Sequence, residues 1–134
     1  MTTPPLGRIL VIDDDAEFRS SLAEALADAG YEVMLAGDGA QGIEALQHAP
    51  SDLTITDIFM PVKDGIELIS LLKDQFPGTP IIAVSGGPRS PKSGLPLDYL
   101  SIASTFGADR VLRKPFRLER LLEMVRETIE PIAY

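Results

Sequence analysis

The chain has 134 residues, 45% of them hydrophobic, with a formal charge of −8 and no cysteine. That length fits one domain with a core of its own. The absence of cysteine excludes a disulfide framework and a thiolate metal site, and the acidity argues against direct nucleic-acid binding, which needs a basic face to displace phosphate counterions.

The opening "MTTPPLG" has neither the basic nor the apolar region of a signal peptide, and no apolar run reaches the roughly 18 residues of a membrane span. The chain therefore reads as a soluble, cytoplasmic protein with a short disordered tail over residues 1–6. The first strand is "RILVID" (8–13), and it runs into three consecutive acids, Asp13, Asp14 and Asp15. A 3.6-residue stripe follows through Phe18, Leu22, Ala25, Leu26 and Ala29, with Asp15 as candidate N-cap and Gly30 as the stop. "EVMLA" (32–36) is the second strand, and a helix is expected after Gly39, with His48 near its end. "LTITD" (53–57) is the third strand, followed by a helix striped by Ile66, Ile69, Leu72 and Phe76 and ended by Pro77. "PIIAVS" (80–85) is the fourth strand, followed by the loop "GGPRSPKSGLPL" (86–97) and a weaker helical segment from Tyr99 to Phe106. "RVLRK" (110–114) is the fifth strand, and the last helix carries Leu118, Leu121, Leu122 and Val125.

Most of these strands are too apolar to alternate, the pattern of strands covered on both faces. Strict β-α alternation then predicts an α/β fold, a doubly wound five-stranded parallel sheet with right-handed crossovers. Ligands of such sheets bind outside the carboxyl ends of the strands. The residues there are Asp13 and Asp14, Asp57, Ser85 and Lys114. Carboxylates without histidine or cysteine make a hard, oxygen-only site suited to Mg²⁺. Like charges packed together raise one another's pKa, and a metal would relieve them. A lysine and a hydroxyl facing that metal supply what a transferred phosphoryl group needs, charge neutralisation and hydrogen-bond donors, and one carboxylate can serve as nucleophile.

With "LVIDDD", "TDIFMPVKDG", "AVSGG" and "RKPF" in that order, the sequence resembles the receiver domains of bacterial two-component response regulators over nearly its whole length. The resemblance implies a flavodoxin-like (βα)5 sheet in strand order 2-1-3-4-5. It implies that Asp57 is the phosphoacceptor, that Asp14 binds Mg²⁺ directly and Asp13 largely through water, and that the backbone carbonyl of Phe59 is a further ligand. Ser85 would bond a phosphoryl oxygen and Lys114 would pair with the phosphate, while Lys114–Pro115 resembles the family's cis Lys–Pro bond. Partners would be a sensor histidine kinase or phosphotransfer protein and a downstream protein target, with no nucleic acid, no membrane and no attached output domain, so that the output would be a protein contact or onward phosphotransfer. Such a domain catalyses only its own phosphorylation and dephosphorylation. Val111 stands where many relatives carry a switching aromatic, which places any switch in the 86–97 loop and the helix after it. Phe59 and Gly87, at the positions that help admit water, offer no polar group and imply a long-lived phosphoryl form.

Each signal also has a plainer reading. Asp13 and Asp14 could cap a helix, Asp57 and Ser85 could be turn residues, and Lys114 could be a solvated strand end. "GGPRSPKS" nearly spells a phosphate-binding loop, but Pro88 and Pro91 lack the N–H groups such a cradle uses. His48 reads as a solvated helix end, and Arg110, Arg113, Lys114, Arg117 and Arg120 read as a wet face or, alternatively, a dock for an acidic partner. The competing function is a small Mg²⁺-dependent phosphohydrolase of the haloacid-dehalogenase type, suggested by the D-x-D of Asp13 and Asp15. Against it stand the third-strand nucleophile and the lack of a late acidic pair.

Overall fold

The computed structural model describes residues 4–58, 65–85, 103–104 and 106–129. In chain order the elements are β1 (Arg8–Ile12), α1 (Ala16–Asp28), β2 (Glu32–Ala36), α2 (Gly39–His48), β3 (Leu53–Asp57), α3 (Gly65–Gln75), β4 (Ile81–Ser85), β5 (Arg110–Arg113) and α4 (Leu118–Ile129). The five strands are parallel and ordered β2-β1-β3-β4-β5, the expected doubly wound sheet. Most of the segment expected as a helix from Tyr99 to Phe106, and the whole 86–97 loop, lie outside the described residues; Ala103, Ser104 and Phe106 are helical.

Two apolar layers hold the sheet. On one face Ile9, Val11, Leu53, Ile55, Ile82 and Val84 pack against Leu22 and Leu26 of α1 and Leu121, Met124 and Val125 of α4. On the other, Leu10, Ile12, Ile81 and Ala83 pack against Leu46 of α2 and Leu68, Ile69 and Leu72 of α3. The three inner strands β1, β3 and β4 are almost wholly buried, which explains the apolar runs of β1 and β4, while β3 buries Thr54 between Leu53 and Ile55, and Thr56 before Asp57. The edge strand β2 departs from that expectation, with Leu35 46% exposed. Leu118, expected in the core stripe of the last helix, is also exposed; Met124 takes the inward position.

Local chemistry sets the element ends. Asp15 caps α1 by accepting the N–H groups of Glu17 and Phe18, and Gly30 follows the helix at φ 105°. Gly42 lets α2 lie close to β1, since a Cβ there would meet Ile12 Cδ1 at 2.5 Å. Leu6, in the stretch expected as a tail, donates its N–H to the Gly30 carbonyl at 2.9 Å. Among the described residues no helix is long and apolar enough to cross a membrane.

Candidate functional site

The register explains why distant residues meet. Ile12 of β1 lies opposite Thr56 of β3, so Asp13 and Asp57, each one residue farther on, emerge side by side. Asp57 lies opposite Val84, and Ser85 lies opposite Arg113, which puts Lys114 just beyond the end of β5. The turns are tied down as well. Asp13 N–H donates to the Ala36 carbonyl at 3.1 Å, Ile58 N–H to the Val84 carbonyl at 2.9 Å, and Lys114 N–H to the Ser85 carbonyl at 2.8 Å. The Lys114–Pro115 peptide is cis.

Asp13, Asp14 and Asp57 each present a carboxylate oxygen within 4.8 Å of the others, with Asp14 exposed and the other two buried. Lys114 Nζ lies 3.5 Å from Asp13 Oδ2 and 3.5 Å from Asp57 Oδ2. One ammonium thus faces two carboxylates at a distance longer than a good charge-assisted hydrogen bond to either. The Asp13 carboxyl is held above its ordinary range. Burial is the main cause, and the charges of Asp57 and Asp14 push the same way, while the Asp15 N–H, at 2.9 Å, and Lys114 pull it down. Ser85 is buried at the end of β4. Phe59, Gly87 and the "GGPRSPKS" segment lie outside the described residues.

Asp15 has a different task. Its carboxylate is occupied as the α1 cap, at 3.0 Å from Glu17 N and 3.2 Å from Phe18 N, so the D-x-D pair does not form. His48 closes α2, its Nδ1 3.0 Å from the Glu44 carbonyl. Of the basic run, Arg110 pairs with Glu127 and Arg120 with Glu123. Two neighbours of the site were not singled out by sequence. Arg19 Nη1 donates to the Asp13 carbonyl at 2.6 Å, bracing the turn after β1. Phe18, expected only as a core-stripe residue, lies under Lys114, whose Nζ is 3.7 Å from the ring centroid.

Residues 9–126 match the family model of the response regulator receiver domain. The chain belongs to that family. It is therefore a phosphoacceptor signalling module of two-component systems, and nothing in the site favours the phosphohydrolase alternative. A DNA-binding transcriptional regulator, NtrC, from a Bradyrhizobium strain is 37% identical over 95% of this chain, which covers 25% of that protein. The response regulator MprA of Mycobacterium leprae is 35% identical over 89% of this chain and 49% of its own length. The receiver domain thus spans about half or less of these curated relatives. Among solved structures, a CheY-like receiver domain protein from Methanospirillum hungatei superposes with a TM-score of 0.82 at 29% identity, covering 92% of this chain and 94% of that one. NtrX from Brucella abortus gives 0.84 at 27% identity, covering 94% of this chain and 27% of that protein.

Proposed function

We propose that Asp57 is the residue that receives the phosphoryl group. Most support comes from the convergence of three carboxylates within 4.8 Å of one another with Lys114 Nζ at 3.5 Å from two of them. An Asp57 carboxylate oxygen attacks the phosphorus of the donor. The new O–P bond forms as the bond from phosphorus to the donor breaks, and the bonding pair leaves with the donor, which for a phosphohistidine ends as imidazole. Lys114 follows the charge from the carboxylate to the phosphoryl oxygens, and Ser85, buried at the neighbouring strand end, supplies a hydroxyl to one of them.

The donor set fits a divalent cation. All three side chains are hard oxygen ligands crowded within 4.8 Å, and a cation would offset both the burial and the acidic neighbours that raise the pKa of Asp13. Asp13, Asp14 and Asp57 would hold Mg²⁺, with the Phe59 carbonyl as a further ligand. When bound, Mg²⁺ neutralises charge on the phosphoryl oxygens. The donor is a histidine kinase or phosphotransfer protein, and the output is a contact with a target protein in the cytoplasm. The net charge of −8 supports a protein target over nucleic acid for this domain.

Intact mass after incubation with acetyl phosphate and Mg²⁺ tests the assignment. Wild type should gain one phosphoryl group and lose it as an acyl phosphate does, and the gain should vanish without Mg²⁺. Asp57→Asn should gain none, because an amide is not a competent nucleophile. Equal labelling of that variant would move the acceptor elsewhere.

A further inference from the structure

Among the described residues the Lys114 ammonium meets Asp13, Asp57 and the uncharged ring of Phe18. Its ammonium lies 3.5 Å from each of two carboxylates and 3.7 Å from the centroid of the Phe18 ring. A cation so placed is attracted by the ring quadrupole, more strongly where water is partly excluded, and the Lys114 side chain is only 21% exposed. The ring itself is fixed. Phe116 meets it edge-on at 6.1 Å and 81°, and the Phe18 N–H is held by the Asp15 cap. The turn that delivers Asp13 and Asp14 therefore also sets the ring beneath the lysine.

The carboxylates cannot hold the ammonium steadily through a phosphoryl-transfer cycle. Their pull weakens when a divalent cation shares their charge, and it changes again when Asp57 becomes an acyl phosphate. The attraction of the ring is independent of those events. We propose that Phe18 is a positioning residue for Lys114, an aromatic platform that keeps the ammonium within reach of Asp57 whichever species the carboxylate is. This rests on the reading of Lys114 as the phosphoryl-contacting cation. Phe18 also packs on the core layer of α1 and α4, so the alternative is that it merely fills space.

The test separates the two. Phe18→Leu keeps apolar bulk and removes the quadrupole, Phe18→Tyr keeps the ring, and both are made in wild-type and Lys114→Ala backgrounds. The probe is beryllofluoride at saturating Mg²⁺, with Mg²⁺ affinity alone measured in parallel by calorimetry. Phe18→Leu should weaken beryllofluoride binding about three- to tenfold, the range of a partly desolvated cation–π contact. Its Mg²⁺ affinity should stay within about twofold, and Phe18→Tyr should match wild type. In the Lys114→Ala background Phe18→Leu should add no further loss. In proton NMR the Lys114 Hε signals should be shielded by the ring in wild type and Phe18→Tyr, and move downfield in Phe18→Leu.

Unchanged binding in Phe18→Leu overturns the platform, as does an equal loss in the Lys114→Ala background, which would mark Phe18 as structural. Should Phe18→Leu fail to fold, Phe18→Met replaces it, and unshielded Hε signals in wild type overturn the proposal without any variant. Undiminished beryllofluoride binding by Lys114→Ala alone is a different result, for it removes Lys114 from the phosphoryl site and leaves the platform with nothing to position.

Discussion

At the amino-terminal end of the sheet, Asp52 and Asp109 each accept the N–H that opens a strand, from Arg8 and from Ile81, both at 2.8 Å. Asp109 also holds Lys73 Nζ at 2.7 Å, and the Arg8 guanidinium turns to Glu32 at 3.2 Å and to the Pro50 carbonyl at 3.1 Å. At the carboxyl end, Asp13 and Asp57 are more deeply buried, and Lys114 Nζ lies 3.5 Å from a carboxylate oxygen of each, with Asp14 close by. At the first end each acid has its own backbone donor and, among the described residues, no acidic cluster around it. At the second, Asp13 also accepts a backbone N–H, from Asp15 at 2.9 Å, but three carboxylates crowd within 4.8 Å of one another. The second is left with an excess of negative charge. Removing an acid should therefore have opposite consequences at the two ends, and a cation should stabilise only one of them.

The largest expected effect is that of the cation. Mg²⁺ at a hundredfold excess over its Kd should stabilise the fold by roughly 2.7 kcal/mol, as any ligand specific for the native state does. Asp14→Ala should lose most of that gain, read as the Mg²⁺-dependent shift of the melting temperature. A shift equal to that of wild type would remove Asp14 from the ligand set. The next effect belongs to the closed end. Asp109→Ala strips a buried strand-opening N–H of its acceptor and should lower stability by about 1–2 kcal/mol in urea unfolding, with or without Mg²⁺. Stability unchanged from wild type would erase the contrast between the ends.

Much of this architecture is legible in the sequence because burial writes itself into composition. β1, β3 and β4 are covered on both faces; β1 and β4 read as apolar runs, and only threonines interrupt the apolar residues of β3 before Asp57. Once the alternation implies a parallel sheet, Asp13, Asp57, Ser85 and Lys114 must share an edge, since each follows directly on or completes a strand. The misses have a common physical cause: they depend on rotation about an axis or on contacts between distant segments. Leu118 fits a helical stripe by spacing, but α4 turns Met124 inward in its company's place. Phe18 satisfies the core stripe of α1, and no spacing rule connects its ring with a lysine at the far end of the chain. The Arg19 contact with the Asp13 carbonyl is hidden in the same way, because a backbone acceptor leaves no mark on side-chain pattern.

The smallest effect is also the finest test of the surplus charge, because it turns on the Asp13 carboxyl alone. Its pKa in the folded chain is raised above the ordinary value of 3.8, first by burial and then by its acidic neighbours. In the unfolded chain it returns to that ordinary value. Between the two, the folded state binds more protons than the unfolded state, so the contribution of Asp13 to stability falls as pH rises through that window. Above the folded pKa the penalty is complete. Asp13→Asn carries no such titration, and its amide oxygen can still accept the Asp15 N–H that Asp13 Oδ1 now receives at 2.9 Å. Without Mg²⁺, the stability of wild type relative to the variant should therefore be greatest in acid and should decline as pH rises from about 3.8. Taking the difference cancels whatever the two proteins have in common and leaves the Asp13 carboxyl. Saturating Mg²⁺ near neutral pH should reverse the order, because the ion favours the ionised carboxylate that the amide lacks. Urea unfolding of both proteins across that pH range would decide it. A metal-free difference that stays flat or grows with pH would mean that the shared lysine already satisfies Asp13, and the two ends of the sheet would then be alike.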